Sequence, residues 1–585
     1  MKKFINRPED VERQVVDGYV KTYPGIIAKA ADDIVVRARR KTGKVALVSG
    51  GGMGHEPAHL GYVGEGMLDA AVGGAIYTSP AEDRVKAAID AVAPGATGVL
   101  LIVKNYTGDV VNFKMAASEA AEEGVNVAYV VVDDDVAVDG SSFTVGRRGV
   151  AGTVFVHKCA GATAEAGADL AEVERVAKKV IANVRTMGVA IEPCTVPAAG
   201  KPGFTLADDE MEMGVGIHGE PGVRRAAMEP ADAMVDEILE KILADLDYAN
   251  ARVAVLVNGA GGTPPYELAI VSNRVHDVLA SRGITVAQSY MGPYMTSLEM
   301  RGFSISVLRL DEELERLLAA PAHAVVWREG AAAPAKEVAA LAPASAGAVP
   351  VASARAGETR PEPSGALDPA TERVARVLAA VADTLDVHKD ELTELDMPIG
   401  DSDHGINMAR GFDAVRAQLP ELGTGDAATL LRKAAMTIIS KVGGSSGPLY
   451  GTLLRKLSVA VKRAGTLSLA VFAQGLEEGL AGIEELAGGA PGDKTMIDAM
   501  VPALASLKDS LAAEVPAAEA LSRAARAAAD GAEATIPLVA RKGRASYLGE
   551  RSAGHKDPGA ASFAYCLDAV AKAVAAEGAR SDGAA

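Results

Sequence analysis

The sequence predicts a two-part protein: an α/β amino-terminal half over residues 1–330 and an all-helical carboxyl-terminal half over residues 369–580. Three observations carry that reading. Apolar, β-branched runs alternate with Ala- and Glu-rich stretches through the first part, as strands covered on both faces by helices do. Ala, Pro, Gly and Ser then dominate residues 331–368, which read as an extended linker. Beyond it, Val374, Val377, Leu378, Val381 and Leu385 follow the spacing of one helix face.

In chain order, strands are expected at residues 45–48, 99–103, 127–132 and 253–257, and a helix at 112–123. The Ala and Pro content of residues 184–206 suggests a connection between two lobes, about 1–183 and 184–330. From residue 369, Ala-rich amphipathic segments broken by Gly-rich loops continue to about 578 with no strand pattern, and residues 581–585 are expected to fray.

The chain has 585 residues, 59 Lys plus Arg and 77 Asp plus Glu, for a net charge of −18. That balance argues against a nucleic-acid or anionic-membrane partner, which needs clustered basic residues. Aromatics at 4% leave few platforms for stacking bases. Cys159, Cys194 and Cys566 are scattered and show neither metal spacing nor a disulfide framework, which suits a reducing cytoplasm. The first residues lack the apolar core of a signal peptide, and no apolar run suggests a membrane span of about 18 residues.

The densest polar cluster is residues 395–408, where Asp396, Asp401 and Asp403 fall in a Gly-containing turn between helical stretches. Carboxylates this close repel unless a cation holds them, and oxygen ligands suit Mg²⁺ or Ca²⁺. An EF-hand is excluded, because Ile406 stands at the sixth loop position and Phe412 at the twelfth. The alternative is a solvated turn with Asp caps. A Gly-Ser loop at 443–451 would offer backbone N–H groups to phosphate if a helix begins there. It is not a Walker A loop, and Gly488 to Thr495 imitates one only loosely, with Asp493 between Gly492 and Lys494. A third Gly-rich segment, 543–560, holds Arg544 and ends in Asp557-Pro558, an N-cap followed by a first helical residue.

In the first half, residues 49–59 place a Gly-rich turn and His55 after a strand, where α/β sheets bind ligands. This is not the dinucleotide fingerprint, because His55 stands where its last Gly belongs. Lys104 and Asp109 follow a second strand in the same way, so the three side chains are placed to converge on one small polar ligand. The alternative is that Asp109 caps a helix and His55 satisfies a backbone group. His218 lies among glycines in residues 214–222; with no Cys or second His nearby, nucleophile or base is preferred to metal ligand.

Taken together, these segments resemble the dihydroxyacetone kinase family. Residues 50–59, 104–113 and 214–222 look like its substrate-binding half, and 400–408, 443–451, 492–496 and 543–560 like its nucleotide-binding half. The resemblance implies a two-lobed α/β substrate domain and a helical-barrel nucleotide domain. It implies that His218 forms a covalent hemiaminal with a ketone carbonyl, which selects short carbonyl sugars over glycerol. It further implies that Asp109 and His55 act on the substrate hydroxyl as general base and partner, with Gly52, Met53, Gly54 and Lys104 positioning it. Asp396, Asp401 and Asp403 would hold two Mg²⁺ ions. His404, Gly405, Ile406, Asn407, Ser445, Ser446, Met496, Arg544, Asp557, Pro558 and Gly559 would line the ATP pocket.

The implied activity is ATP-dependent phosphorylation of a short ketose, foremost dihydroxyacetone, by a cytoplasmic homodimer joined through the substrate domain. Met53 replaces a usual Ser, and Tyr77 stands where Phe is common, which leaves erythrulose or glyceraldehyde as substrates in its place. The same resemblance also admits an enzyme fed by a phosphotransferase protein through bound ADP, or a non-enzymatic carbonyl-binding regulator. The fused halves and the absence of a phosphocarrier-like segment favour free ATP. The complete set of Asp396, Asp401, Asp403 and His218 favours an enzyme.

Overall fold

The computed structural model describes residues 2–138, 146–329, 368–422 and 426–582. The linker expected at 331–368 falls, apart from Asp368, outside the described residues. So do residues 583–585 of the expected frayed end, whereas 581 and 582 continue the last helix.

Six strands form the first sheet in the order Ile27–Ala31, Ile34–Arg37, Ala70–Ile76, Val45–Met53, Gly98–Lys104, Val127–Val132. The last four are parallel to one another, and the first two form an antiparallel hairpin on the edge. Val45–Met53 and Gly98–Lys104 are buried along their whole length, because helices Glu82–Val92 and Thr107–Glu122 cover one face and Thr153–Glu165 and Leu170–Asn183 the other. This explains their continuous apolar sequence. Their carboxyl ends point to one rim, which therefore receives Gly50–His55, Tyr77–Ser79 and Lys104–Asp109.

The second sheet runs Arg224–Ala227, Glu210–Met213, Val184–Glu192, Arg301–Leu310, Arg252–Gly259, Thr285–Gly292. Only its last two strands are parallel, so the even coverage expected from the first sheet does not extend here, and its edge strand Thr285–Gly292 is half-exposed. The connection expected at 184–206 is corrected: helix Leu170–Asn183 runs directly into strand Val184–Glu192, and only the following stretch is loop. The chain then returns to the first lobe, where Ala322–Ala324 pairs with Gly64–Glu65.

From residue 368 on, the described residues hold helices and no strand. Successive long helices pack side by side, and the last, from Pro558, closes the ring against the first, Pro369–Val387. Side-chain caps start several of them: Asp368 accepts from Ala370 and Thr371, Asp426 from Thr429, and Ser468 from Val471. Gly465 ends helix Ser446–Ala464 and Gly488 ends helix Leu469–Ala487, both in the left-handed conformation. Small side chains such as Ala434, Ala524 and Ala528 let the helices approach, while Phe412, Leu454, Phe472, Leu521 and Phe563 line an apolar cavity inside the ring. Among the described residues one helix, Pro558–Glu577, is long and apolar enough by composition to cross a membrane, a feature the sequence pattern did not reveal; it packs into the ring, against Ala517–Ala534 and Pro369–Val387.

Candidate active site

The strand Val45–Met53 carries glycine just before its last residue because it runs against the turn at Tyr77: a Cβ on Gly52 would lie 2.4 Å from the Tyr77 carbonyl carbon. Gly54 follows with φ +100, and His55 is fully buried behind it. His55 Nδ1 is 3.0 Å from the Thr296 carbonyl, as a backbone-satisfying role requires, but Nε2 is buried without a partner. Met53 turns its thioether over Gly73 in the sheet, so only its backbone remains at the turn, where its carbonyl accepts from Tyr77 N at 2.9 Å.

Lys104, with no exposed surface, donates to the Gly50 carbonyl at 2.9 Å, and its Nζ lies 3.0 Å from His59 Nε2 and 3.5 Å from Asp109 Oδ2. Burial holds its pKa below the ordinary lysine value, against the pull of Asp109. Asp109 sits in the first turn of helix Thr107–Glu122 but does not cap it; Oδ1 accepts from the Ser79 hydroxyl, and Oδ2 has no hydrogen-bond partner.

His218 comes from the second lobe, on the loop between strands Glu210–Met213 and Arg224–Ala227. Its backbone N–H donates to Glu220 Oε2 at 2.7 Å, and Arg148 reaches Glu220 Oε1 at 3.3 Å. Arg148, fully buried, also donates to Asp135 at 2.7 Å and to the Gly214 carbonyl at 2.6 Å, so one guanidinium anchors the whole loop. The His218 ring meets His55 edge-on at 4.8 Å and Tyr106 at 4.3 Å, and its Nδ1 is buried without a partner. Burial pushes His218 well below 6.5, helped by the neighbouring His55, and takes His55 down to about 3. Both rings are therefore neutral, with lone pairs available.

On the helical side, Asp396 ends helix Lys389–Asp396, and Asp401 and Asp403 follow in the next turn. One oxygen from each lies within 4.8 Å of the others. Asp396 Oδ2 accepts from Asp403 N at 3.0 Å and His404 N at 3.3 Å, which starts helix His404–Leu422, and Asp401 pairs with Arg544. Burial, and then the charge of Asp396, push Asp403 up to about 6. An all-oxygen set with mutual repulsion, two of its three carboxylates buried, fits a hard divalent cation. Helix Ser446–Ala464 opens at the Gly-Ser loop, as an anion site requires, and Ser446 Oγ is 3.3 Å from His404 Nδ1. Asp557 caps the last helix, accepting from Ala560 N at 2.7 Å, and burial raises it to about 7.

The structure gathers His404, Asn407, Ser445, Ser446, Met496, Arg544, Asp557, Pro558 and Gly559 with the three aspartates around one cleft. Gly405 and Ile406 do not join them: a Cβ on Gly405 would lie 2.0 Å from the Lys389 carbonyl, so Gly405 serves helix packing. Thr107 and Gly108 of the first half line the same cleft, so the two halves close on each other. Thr78 donates to Asp403 at 2.6 Å, Arg544 to the Tyr77 carbonyl at 3.1 Å, and Asn112 to the Gly444 carbonyl at 3.3 Å. Sequence reasoning missed Thr78, Ser79 and Arg148 as site-building residues, and placed Glu220 and Lys494 only within the segments 214–222 and 492–496, with no role of their own. The adjacent hydroxyls before Pro80 were a faint signal; a lone Arg or Lys gives none before its partners are in place.

A neutral imidazole pair and a carboxylate facing a tri-aspartate and a helix-start loop define a two-domain phosphotransferase of the kinase class. The comparisons with known proteins agree. Residues 17–326 match the Dak1 domain and residues 398–572 the DAK2 domain. The chain is 39% identical over 579 residues, 98% of its length and 99% of the relative's, to a D-erythrulose kinase of Mycolicibacterium smegmatis. Over 330 residues, 56% of this chain and 100% of the relative, it is 50% identical to the dihydroxyacetone-binding subunit DhaK of a PTS-dependent dihydroxyacetone kinase of Listeria innocua. Among solved structures, the dihydroxyacetone kinase of C. freundii in complex with AMP-PNP and Mg2+ matches at 32% identity and a TM-score of 0.50, covering 98% of this chain and 99% of that one. The chain belongs to the dihydroxyacetone kinase family.

Proposed function

We propose that this protein is an ATP-dependent kinase of short-chain ketoses, with dihydroxyacetone the foremost substrate. The observation that carries the reading is the pair of buried rings His218 and His55, 4.8 Å apart with Nδ1 and Nε2 lacking hydrogen bonds, and Asp109 Oδ2, held only by the Lys104 ion pair at 3.5 Å, in a domain whose Thr107 and Gly108 line the cleft of the three aspartates. Unpaired polar atoms in a buried site are costly unless a ligand satisfies them.

In this reading a lone pair of the neutral His218 ring attacks the ketone carbon; the carbonyl π pair moves to oxygen, which takes a proton as the ring gives one up. The resulting hemiaminal fixes the acceptor and excludes glycerol, which has no carbonyl. Asp109, steadied by Ser79 and Lys104, accepts the proton of the attacking hydroxyl, with His55 as its partner. Asp396, Asp401 and Asp403 would hold Mg²⁺, two ions in this reading, which neutralises phosphate charge when bound. The Ser445–Ser446 helix start, His404 and Arg544 receive the nucleotide phosphates. Catalysis is then positioning and charge neutralisation rather than covalent work on phosphorus.

The division into a substrate domain at 1–330, with lobes 1–183 and 184–330, and a nucleotide domain at 369–580 belongs to the same proposal. Both halves in one chain support free ATP as donor over a phosphoprotein. The three free cysteines support a reducing cytoplasm. A homodimer through the substrate domain is supported by the exposed side chains of Ile270 and Met228, which line one groove.

The test is coupled ADP release with dihydroxyacetone, erythrulose, glyceraldehyde and glycerol, alongside intact-mass analysis of the ketose-loaded protein. Ketose-dependent ADP formation, an adduct lost in His218→Ala, and no turnover of glycerol are expected. Absence of ketose-dependent ADP formation would refute the proposal.

A further inference from the structure

Thr78 and Ser79 are consecutive residues of the substrate domain, yet their hydroxyls serve opposite sides of the cleft. Ser79 donates to Asp109, the base assigned above, whereas Thr78 donates at 2.6 Å to Asp403, a carboxylate of the metal cluster contributed by the other domain. Thr78 Oγ1 also accepts from Asn407 Nδ2 at 3.4 Å, one turn into the helix that Asp396 starts. The turn is held where it is. Tyr77 N donates to the Met53 carbonyl at 2.9 Å and Thr78 N to the Ala75 carbonyl at 2.9 Å, and the Tyr77 hydroxyl contacts Ser297 Oγ at 2.7 Å. The phosphate-side loop is shaped to meet it: a Cβ on Gly443 would lie 1.9 Å from the Thr78 methyl and 3.1 Å from the Ser79 carbonyl oxygen. Thr78 is 1% exposed, so this contact forms without water between the domains.

We infer that Thr78 is a positioning residue for phosphoryl transfer, which orients the Asp403 carboxylate across the domain interface and ties the metal cluster to the Asp109–Ser79 pair in a single rigid turn. The chemistry supports the assignment. A hydroxyl that donates to one carboxylate oxygen leaves the other for a cation and fixes the plane of the group. Because Ser79 is bonded to the next position, the separation between base and metal carboxylate is set by one peptide unit rather than by the hinge between domains. Only the closed molecule has this arrangement, so transfer is coupled to closure and idle hydrolysis of ATP in the open molecule is disfavoured. The inference rests on the ketose-kinase reading above and adds to it a residue to which that reading gives no role.

The test uses the full chain with Thr78→Val, which keeps shape and loses the hydroxyl, and Thr78→Ser, which keeps the hydroxyl. Ketose binding to the nucleotide-free protein, the Mg²⁺ concentration for half-maximal turnover, and kcat are measured for each. Losing a hydrogen bond to a charged group predicts a change of about ten- to a hundredfold, read as a raised Mg²⁺ requirement and a lowered kcat in Thr78→Val. Ketose affinity in that variant should stay within about twofold, and Thr78→Ser should recover most of the loss. A structural role confined to the substrate domain would instead weaken ketose binding and leave the Mg²⁺ dependence alone. That result, or a Thr78→Val enzyme with unchanged Mg²⁺ dependence and kcat, overturns the inference. Failure of the ketose-kinase reading is distinguishable, because it shows in the unsubstituted protein.

Discussion

Replacing Arg148 by Met should damage the substrate domain more than any single surface charge. Arg148 is fully buried and donates to Asp135, Glu220 and the Gly214 carbonyl. Its loss strands two carboxylates in a site where burial already raises Asp135 against the pull of Arg148. Breaking a buried pair from one side costs about 3–5 kcal/mol, because the remaining charge has no compensation. For a domain of this size, with roughly 2 °C of Tm per kcal/mol, that is a fall of about 6–10 °C. The assay is thermal unfolding of the full chain, followed in Arg148→Met and in the same variant carrying Asp135→Asn and Glu220→Gln. The compensated variant, which leaves no unpaired charge, should recover at least half of the loss. A drop below about 2 °C in the single variant, or no recovery in the compensated one, would refute the claim that uncompensated charge sets the cost.

Formation of the His218 adduct should be insensitive to acid. Burial holds the ring well below 6.5, so the neutral, reactive form persists as pH falls. Ketose binding measured from about pH 8 to about pH 5.5 should change less than threefold, and a tenfold loss per unit below pH 6.5 would contradict it. Lys494, 1% exposed, donates to the carbonyls of Thr535 at 2.8 Å and Leu538 at 3.2 Å and also to His555, which draws together the loops flanking Asp557 and Arg544. Lys494→Met should raise KM for ATP about tenfold with ketose binding unchanged, and equal ATP kinetics would count against that role.

The sequence by itself determined the class of each half and the chemical groups. Continuous apolar runs such as residues 99–103, alternating with helical stretches, read as central strands, and the Val374–Leu385 spacing reads as one helix face. The three aspartates, close in sequence, were legible because a short turn cannot separate them, and the resemblance assigned His218 and Asp109. The tertiary structure decided what depends on residues far apart in the chain. It turned residues 184–192 from a supposed connection into a strand, because pairing with Arg301–Leu310 lies beyond any local pattern. It removed Gly405 and Ile406 from the pocket, because which side of a helix faces a cleft is fixed by its neighbours. It also joined Thr78 to Asp403, and Arg148 to Glu220, across 325 and 72 residues. Local propensity and periodicity act over a few residues, whereas a hydrogen bond between distant side chains exists only once packing has brought both partners out of water.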